Sequence, residues 1–344
     1  MSGDLYNWSF RRSLRVSFGN VRYALRFPWY IRNWLRIWNE YDLAVSIQNN
    51  VIPFVCNFHL GDNFLLSAFA GEYCKTYGLQ GVFVLAPPNQ INLISRLPGV
   101  IRVEALKPRD LRFLIDIRFD TRFLAWIAYT RPFSRCVIAS SVFLFGGGRP
   151  SKARVFPDVF AMGLGMPAET KPAPLPLPSQ EELERATKLL ESAGLRPSHT
   201  VLLAPGSNSL SHEHMPDESW RILARLAKEH GWSVALNRSG CITRIPGTVA
   251  LDIPLEDLVA IGHACGWVIA QRSGLCDVVA GRIPRLTVLY SIDRQRYDPL
   301  QPDPCGRFYS LVESGQDPHA EELFLDDDFD EIKAQELFGG FERL

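Results

Sequence analysis

Two turns in the second half of the chain combine glycine with hydroxyl, amide or charged side chains, which are groups that bind phosphate. Each turn follows a short apolar run, at 201–204 and at 268–270. If the runs are strands and the turns open helices, free backbone N–H groups and the positive end of a helix dipole face an anion there. The candidate phosphate ligands are Gly206, Ser207, Asn208, Arg272, Ser273, Gly274 and Asp277. The pattern predicts a nucleotide diphosphate at the carboxyl ends of parallel strands, although strand-to-helix turns of any βαβ protein also contain glycine.

The motifs around these turns occur together in one enzyme family. They cover residues 201–207, 215–230, 254–270, 272–275 and 283–290. In the first half, the matching motif covers residues 55–67, in which the end of an apolar run leads into Gly61 and Asp62. In this order and approximate spacing, the motifs resemble family 9 glycosyltransferases, the bacterial heptosyltransferases. The resemblance covers residues 51–291 and implies an α/β fold of two Rossmann-like domains facing across a cleft, the glycosyltransferase B type, with the active site in that cleft.

The resemblance also implies roles for the Gly-Asp turn. Asp62 matches the inferred catalytic base, which deprotonates the acceptor hydroxyl during transfer from a nucleotide sugar. Gly61 would let the backbone approach closely, and His59 and Asn63 would lie on the acceptor side. Without the family context, an aspartate after glycine at a strand end is more often a helix N-cap.

The chain departs from the family pattern at two places. Where the family commonly has a lysine before Trp-Pro, this chain has His212 and His214, which could contact phosphate or lie exposed in a loop. Where the family usually has Asp-Ser/Thr-Gly-x-x-His, this chain begins with Arg272 and ends with Asp277. An arginine is a paired hydrogen-bond donor suited to a diphosphate or to a carboxylate sugar. The donor is therefore open, and ADP-heptose is not assumed.

The composition is that of a globular protein with an ample core. Hydrophobic residues make up 47%, and 37 basic residues balance 37 acidic ones, so the net charge gives no argument for nucleic-acid binding. The seven cysteines are odd in number and contain no Cys-x-x-Cys pair, which argues against a zinc ribbon or a disulfide scaffold and favours a reducing compartment. No apolar run approaches the roughly 20 residues of a spanning helix, and no signal-peptide pattern is present. These features predict a cytoplasmic protein.

Changes in composition predict five segments. They are a basic aromatic N-terminal segment (1–49), a Rossmann-like acceptor domain (50–170), a proline-rich linker (171–180), a Rossmann-like nucleotide-sugar domain (181–310) and a C-terminal tail or helix (311–344). Ser179 and the glutamates after it predict the capped start of a helix that runs to about Ser192 and ends at Gly194. Residues 326–328 are three aspartates that imitate a metal-binding Asp-x-Asp, but their acidic surroundings favour a solvated tail. We predict no metal and no cofactor beyond the donor substrate.

The N-terminal segment has two interpretations. Seven arginines lie among nine aromatic residues between positions 8 and 38, and Asp4 is the only acidic residue before Glu40. Such a segment suits a helix at an anionic membrane surface, where an enzyme acting on a lipid-linked glycan must work. The alternative is an extension that packs on the domain and leaves its arginines in solvent.

These observations predict a glycosyltransferase that moves a sugar from a nucleotide-sugar donor to a growing bacterial surface glycan or lipid-linked acceptor, with inversion and without a metal. Its partners would be the donor, the glycan or glycolipid acceptor and, through residues 1–38, the inner face of the cytoplasmic membrane. Two alternatives remain: a nucleotide-sugar epimerase or hydrolase on the same fold, and a catalytically inactive glycan-binding relative.

Overall fold

The computed structural model describes residues 21–118, 120–130, 133–142, 153–206, 215–238, 244–292, 307–326, 334–335 and 337–338. The chain divides into two compact units, Met1–Ala173 and Pro174–Leu344. The division lies within the proline-rich stretch 171–180.

The first unit contains a parallel sheet. Its strands are β1 (Val51–Val55), β2 (Gly81–Ala86), β3 (Val100–Ala105) and β4 (Val137–Ile138), in the spatial order β3-β2-β1-β4. The strands β1 and β2 are buried along their whole length, as expected for parallel strands covered on both faces. The last residue of β1, Val55, lies opposite Leu85 of β2 and Ile138 of β4. The strand order reverses between β1 and β4, which makes their carboxyl ends the switch point of this sheet.

Helices connect and cover these strands. They are α1 (Val21–Glu40), α2 (Leu43–Gln48), α3 (Leu60–Ala68), α4 (Ala70–Tyr77), α5 (Ile91–Ile94), α6 (Pro108–Ile117), α7 (Thr121–Tyr129), α8 (Ala139–Ser141) and α9 (Phe156–Gly163), with short 3₁₀ turns at Pro88–Gln90 and Phe133–Arg135.

The second unit contains a larger parallel sheet. Its strands are β5 (Thr200–Ala204), β6 (Ser233–Asn237), β7 (Val249–Leu251), β8 (Gly266–Gln271), β9 (Leu286–Ile292) and β10 (Glu321–Asp326), in the spatial order β10-β9-β8-β5-β6-β7. Numbered along this unit alone, the order is 3-2-1-4-5-6, which is that of the Rossmann fold, and the switch point lies between β5 and β8. The helices are α10 (Gln180–Ser192), α11 (Asp217–Glu229), α12 (Leu258–Cys265), α13 (Gly274–Val279) and α14 (Leu311–Ser314), with 3₁₀ turns at Leu255–Asp257 and Arg307–Tyr309.

Helix α10 begins and ends as its sequence predicts. The Oγ of Ser179 accepts a hydrogen bond from the backbone N–H of Glu182, and the Glu182 carboxylate accepts one from the N–H of Ser179. This is the reciprocal capping box of a helix start. Just beyond the last turn, Gly194 has φ +73°, a left-handed conformation that favours glycine.

Helix α1 belongs to the core of the first unit. Its buried face consists of Tyr30, Trp34, Ile37 and Trp38, which pack with aromatic side chains of α6, α7 and the 3₁₀ turn that precedes β4. For residues 21–48, the separation of an N-terminal segment from the acceptor domain is therefore wrong, because this part of the segment packs into the domain core. Residues 1–20 lie outside the described part of the chain. Among the described helices, none is long and apolar enough to cross a membrane.

Buried polar contacts anchor the end of α1 beside the carboxyl end of β3. The Asp110 carboxylate is fully buried and accepts hydrogen bonds from Arg36 (2.5 Å) and from the Tyr41 hydroxyl (3.2 Å). The same hydroxyl accepts the backbone N–H of Lys107 at 2.9 Å. Burial raises the pKa of Tyr41 to about 12, so this phenol stays protonated and can donate to the carboxylate.

The C-terminal assignment needs a correction. Residues 311–344 were expected to form a tail or helix beyond the core, but Glu321–Asp326 forms β10 and pairs with β9 along its whole length. The sequence did not indicate this strand, because charged residues at its start interrupt the apolar pattern. The structure uses them as hydrogen-bond acceptors: Glu321 accepts from Thr287 at 2.8 Å, and Glu322 from Tyr290 at 2.6 Å.

Candidate functional site

A hydrogen-bonded asparagine joins the carboxyl ends of the two strands at the first switch point. Asn57 follows β1, is fully buried, and donates from Nδ2 to the Oγ of Ser140 at 2.9 Å and to the carbonyl of Leu114 at 3.1 Å. Its Oδ1 accepts the backbone N–H of Ser140 at 3.1 Å. Asn57 begins the segment 57–62 that the sequence predicts as a site element, whereas Ser140 was not a candidate. Together they fix the position of the loop that leads from β1 into α3.

The Gly-Asp turn forms the first turn of α3. The N-cap is His59, so the interpretation of Asp62 as an N-cap is wrong. Asp62 occupies the third position of the helix and is 7% exposed. Negative charge is favoured there because the carboxylate lies near the positive end of the helix dipole. Gly61 is also buried, and its backbone is helical rather than left-handed.

The side chain of Asn63 closes the loop before α3. Its Oδ1 accepts the backbone N–H of Phe58, and its Nδ2 donates to the carbonyl of the same residue, both at 3.0 Å. The Nδ2 also donates to Oε1 of the buried Gln90 at 3.1 Å. Asn63 therefore fixes the backbone around Asp62, and its position on the acceptor side stays a prediction. Gln90 was not predicted, because it lies 27 residues away in the turn after β2.

The imidazole of His59 is the exposed group of this turn. Its ring lies against that of Phe58, with the ring centroids 5.0 Å apart. Partial desolvation and then the positive charge of Arg118 lower the pKa of His59 below its usual 6.5. At neutral pH this histidine is therefore an uncharged hydrogen-bonding group.

The second switch point carries the two turns predicted to bind phosphate. The first of them follows β5 and begins with Pro205 and the half-buried Gly206. The predicted ligands Ser207, Asn208, His212 and His214 lie outside the described residues. The second turn follows β8, and Ser273 is the N-cap of α13 without a side-chain capping hydrogen bond. Gly274 is the first residue of that helix.

The guanidinium of Arg272 is bound by the protein itself. Its Nη1 and Nη2 form a paired contact with the two carboxylate oxygens of Asp277, at 2.9 and 2.8 Å. Nε donates to the carbonyl of Tyr309 at 3.0 Å, and Nη1 also donates to that of Ser273 at 2.7 Å. The two side chains are 13% and 2% exposed. Burial alone would lower the pKa of Arg272, but the carboxylate beside it outweighs burial and raises this pKa above its usual value.

This contact joins the first and last residues of the second departure from the family pattern. The family pattern has an acidic residue at the position of Arg272 and a histidine at the position of Asp277. The signs of the two positions are exchanged, and the side chains pair with each other. The two substitutions therefore compensate each other within one turn.

Residues from the C-terminal part of the unit complete the network around this turn. The Tyr309 carbonyl that accepts from Arg272 also lies 3.2 Å from the hydroxyl oxygen of Tyr290. Tyr290 donates to Glu322, whose carboxylate also accepts from the Ser310 hydroxyl at 2.6 Å. Burial raises the pKa of Tyr290, so the phenol remains neutral. None of these residues was among the predicted site residues.

Among the described residues, no group of three or more histidine, cysteine, aspartate or glutamate side chains could hold a metal ion. Of the aspartates at 326–328, the first ends β10, and the other two lie outside the described residues.

The fold is similar to that of known glycosyltransferase structures. E. coli ADP-heptose LPS heptosyltransferase II is 17% identical with a TM-score of 0.56, and the alignment covers 85% of this chain and 99% of that one. A family 9 glycosyl transferase from Veillonella parvula is 14% identical with a TM-score of 0.51, and the alignment covers 84% and 92% of the two chains. The chain matches no protein-family model and no curated protein sequence. The similarities confirm the predicted α/β fold and, at the level of the fold, the resemblance to the heptosyltransferases.

Proposed function

We propose that this chain is a nucleotide-sugar-dependent glycosyltransferase related to family 9. The second unit would bind the donor at the switch point between β5 and β8, and the first unit would bind the acceptor at the switch point between β1 and β4. One observation carries the proposal: every candidate residue that the structure describes follows a strand beside one of these switch points. In open parallel sheets, ligands bind outside the carboxyl ends of the strands at such points.

The environment of Asp62 supports its role as the general base. The residue is buried in the first turn of α3, and that turn is held by Asn63 and, through the strand ends, by Asn57. A base must be fixed within hydrogen-bond reach of the hydroxyl that it deprotonates, and such a residue contributes about 10²–10⁴ in rate. Direct attack by the activated hydroxyl would invert the sugar.

The leaving nucleoside diphosphate needs hydrogen-bond donors where its charge develops. At the second switch point, the turn that contains Ser273 and the turn that begins at Gly206 lie at the ends of neighbouring parallel strands, because β5 and β8 pair directly. Ser207, Asn208, His212 and His214 remain proposed contacts to the diphosphate. We propose that these groups stabilise the leaving group without a metal.

The exposed face of α1 supports a membrane-associated, lipid-linked acceptor on the cytoplasmic side. Trp29, Arg32 and Leu35 are exposed along one side of this helix, opposite its buried aromatic face. Arginine and tryptophan at one helix surface favour the interface of an anionic bilayer. The proposed acceptor class is a growing bacterial surface glycan attached to such a bilayer.

A binding screen followed by a transfer assay tests this function. Thermal unfolding is recorded with UDP, GDP, ADP, dTDP and CMP, since a ligand at 100 times its Kd adds about 2.7 kcal/mol of stability. Labelled sugars on the nucleotide that binds are then offered with and without bacterial glycolipid extract. Transfer that requires the extract supports the proposal. Donor turnover without acceptor would indicate an epimerase or hydrolase, binding without turnover an inactive glycan-binding protein, and stabilisation by no nucleotide would refute the proposal.

A further inference from the structure

The arginine at the second switch point has little hydrogen-bonding capacity left for a ligand. A guanidinium has five N–H donors. Four of those in Arg272 are directed at Asp277, at the Ser273 carbonyl and at the Tyr309 carbonyl. Among the described residues, the remaining N–H on Nη2 has no acceptor. A paired contact to a phosphate or a carboxylate, which needs two parallel N–H groups, would have to displace a contact that already exists.

The charge of the arginine is compensated as well. The Asp277 carboxylate is in direct contact with it, and the carboxylate of Glu322 lies beyond the Tyr290 hydroxyl, which donates to it at 2.6 Å. The other titratable neighbours are uncharged, because burial raises the pKa of the Tyr290 phenol and raises that of the Cys276 thiol to about 11. The Arg272 guanidinium therefore presents one N–H to a ligand and no excess positive charge.

The contacts also fix the arginine in place. Asp277 accepts a further hydrogen bond from Gln316 at 3.5 Å, and the Tyr309 ring lies 5.9 Å from the guanidinium carbon of Arg272. Strand β8, helix α13 and the segment after β9 thus all contribute to one position of the guanidinium.

We propose that Asp277 is a positioning and specificity-determining residue of the donor site. It fixes Arg272 as the donor of a single hydrogen bond and cancels its charge. The turn therefore selects a nucleotide sugar with an uncharged sugar over the corresponding uronate. This inference rests on the proposed function, and it reverses the expectation that Arg272 suits a carboxylate sugar.

One measurement tests the geometry independently of any substrate. In wild-type protein labelled with ¹⁵N-arginine, the Nε–H of Arg272, identified by its absence in Arg272→Gln, should give a separate resonance that exchanges slowly with water at neutral pH. The buried contact to the Tyr309 carbonyl protects it. Fast exchange of this proton in the folded wild type would refute the fixed geometry and the proposal with it.

A second measurement tests the specificity. Titration calorimetry with UDP-glucose and UDP-glucuronate, or with the same two sugars on the nucleotide found in the screen, gives the ratio of the two Kd values. We expect the wild type to bind the uncharged sugar at least about tenfold more tightly, which corresponds to about 1.4 kcal/mol. Asp277→Asn, which leaves the arginine charge uncompensated, should move this ratio toward the uronate by a similar factor.

The matched control is Asp252→Asn, which removes the carboxylate from an exposed pair with Arg238 in the same unit and should leave the ratio unchanged. A purely structural role of Asp277 would weaken both ligands equally, and this outcome would refute the proposal. So would a wild type that prefers the uronate, a result that does not depend on whether the variant folds. If the Nε–H is protected but no nucleotide sugar binds, the proposed function fails and the specificity inference fails with it, while the geometry stands.

Discussion

The side chains of Trp34 and Trp29 provide a matched test of how the N-terminal helix is packed. Both lie on α1, five residues apart, and both can be changed to alanine. Trp34 is 0% exposed and Trp29 is 49% exposed. The structure therefore predicts that the same substitution has very different effects at the two positions.

The magnitudes follow from burial and ring contacts. Removing a fully buried tryptophan loses its packing and leaves a cavity, which costs about 3–5 kcal/mol. Trp29 contacts the rings of Tyr30 and Phe113 at centroid distances of 5.5 Å, but it is half exposed. We expect its loss to cost about 0.5–1.5 kcal/mol, the value of an aromatic contact. The larger loss matters because the stability of a domain is only about 5–15 kcal/mol.

Urea unfolding followed by far-ultraviolet circular dichroism measures both changes. Linear extrapolation gives the free energy of unfolding, and an unchanged slope shows that the transition is the same in each variant. Equal losses in the two variants would show that α1 is not packed as described. A Trp34→Ala variant with wild-type stability would be equally incompatible with its burial.

The same pair separates folding from membrane attachment. Truncation through position 38 would remove Trp34, Ile37 and Trp38 from the core, so it would unfold the first unit rather than release a membrane anchor. Trp29→Ala removes exposed aromatic surface at a small cost in stability and should reduce salt-sensitive sedimentation with anionic liposomes. A wild type that ignores such liposomes would contradict the membrane proposal.

Three further predictions concern the two candidate sites. Asp62→Asn should slow sugar transfer by about 10²–10⁴ with nucleotide binding retained. Asp42→Asn, the same change at an exposed residue, should leave the transfer rate unchanged. Equal rates for Asp62→Asn and wild type would show that Asp62 is not the general base. Arg272→Ala should cost about 3–5 kcal/mol in urea unfolding because it leaves a buried carboxylate unpaired, and wild-type stability would contradict the ion pair. The pKa of His59 in the folded protein lies below 6.5, so the unfolded state binds its proton more readily, and stability should fall as the pH drops from 6.5 toward the folded pKa. An NMR titration that gave 6.5 or higher would contradict this sign.

Elements defined by local patterns were predictable from the sequence. The start of α10 is marked by the capping box of Ser179 and Glu182, and its end by a glycine after the last turn. The predicted limits of this helix were therefore correct almost to the residue. The apolar runs before the two turns predicted to bind phosphate also identified β5 and β8, because buried parallel strands are apolar throughout. In contrast, β3 is partly exposed and carries Arg102 and Glu104, which form an ion pair with each other and give no continuous apolar signal. For the same reason β10 was taken for a tail.

The candidate site was predictable only where the motif is local. The Gly-Asp turn and the turn after β8 were found because each lies within a few residues of a strand. The hydrogen bond between Asn57 and Ser140 joins positions 83 apart, and no spacing rule connects them. Arg272 and Asp277 were both named as candidates, but as separate ligands. Their pairing depends on the conformation of the turn, which brings the two side chains together in a buried place.

The network around Arg272 also has a consequence for the order in which the protein matures during synthesis. The arginine, its aspartate and strands β5 to β9 all precede residue 293, but the Tyr309 carbonyl and Glu322 leave the ribosome later. Domains form as their chains emerge, N-terminal parts first. A nascent chain that ends after β9 would thus have most of its sheet without the acceptors that hold Arg272 and Tyr290. The turn would reach its final form only after residue 322 has been added, so any shorter product would lack the complete hydrogen-bond network of this site.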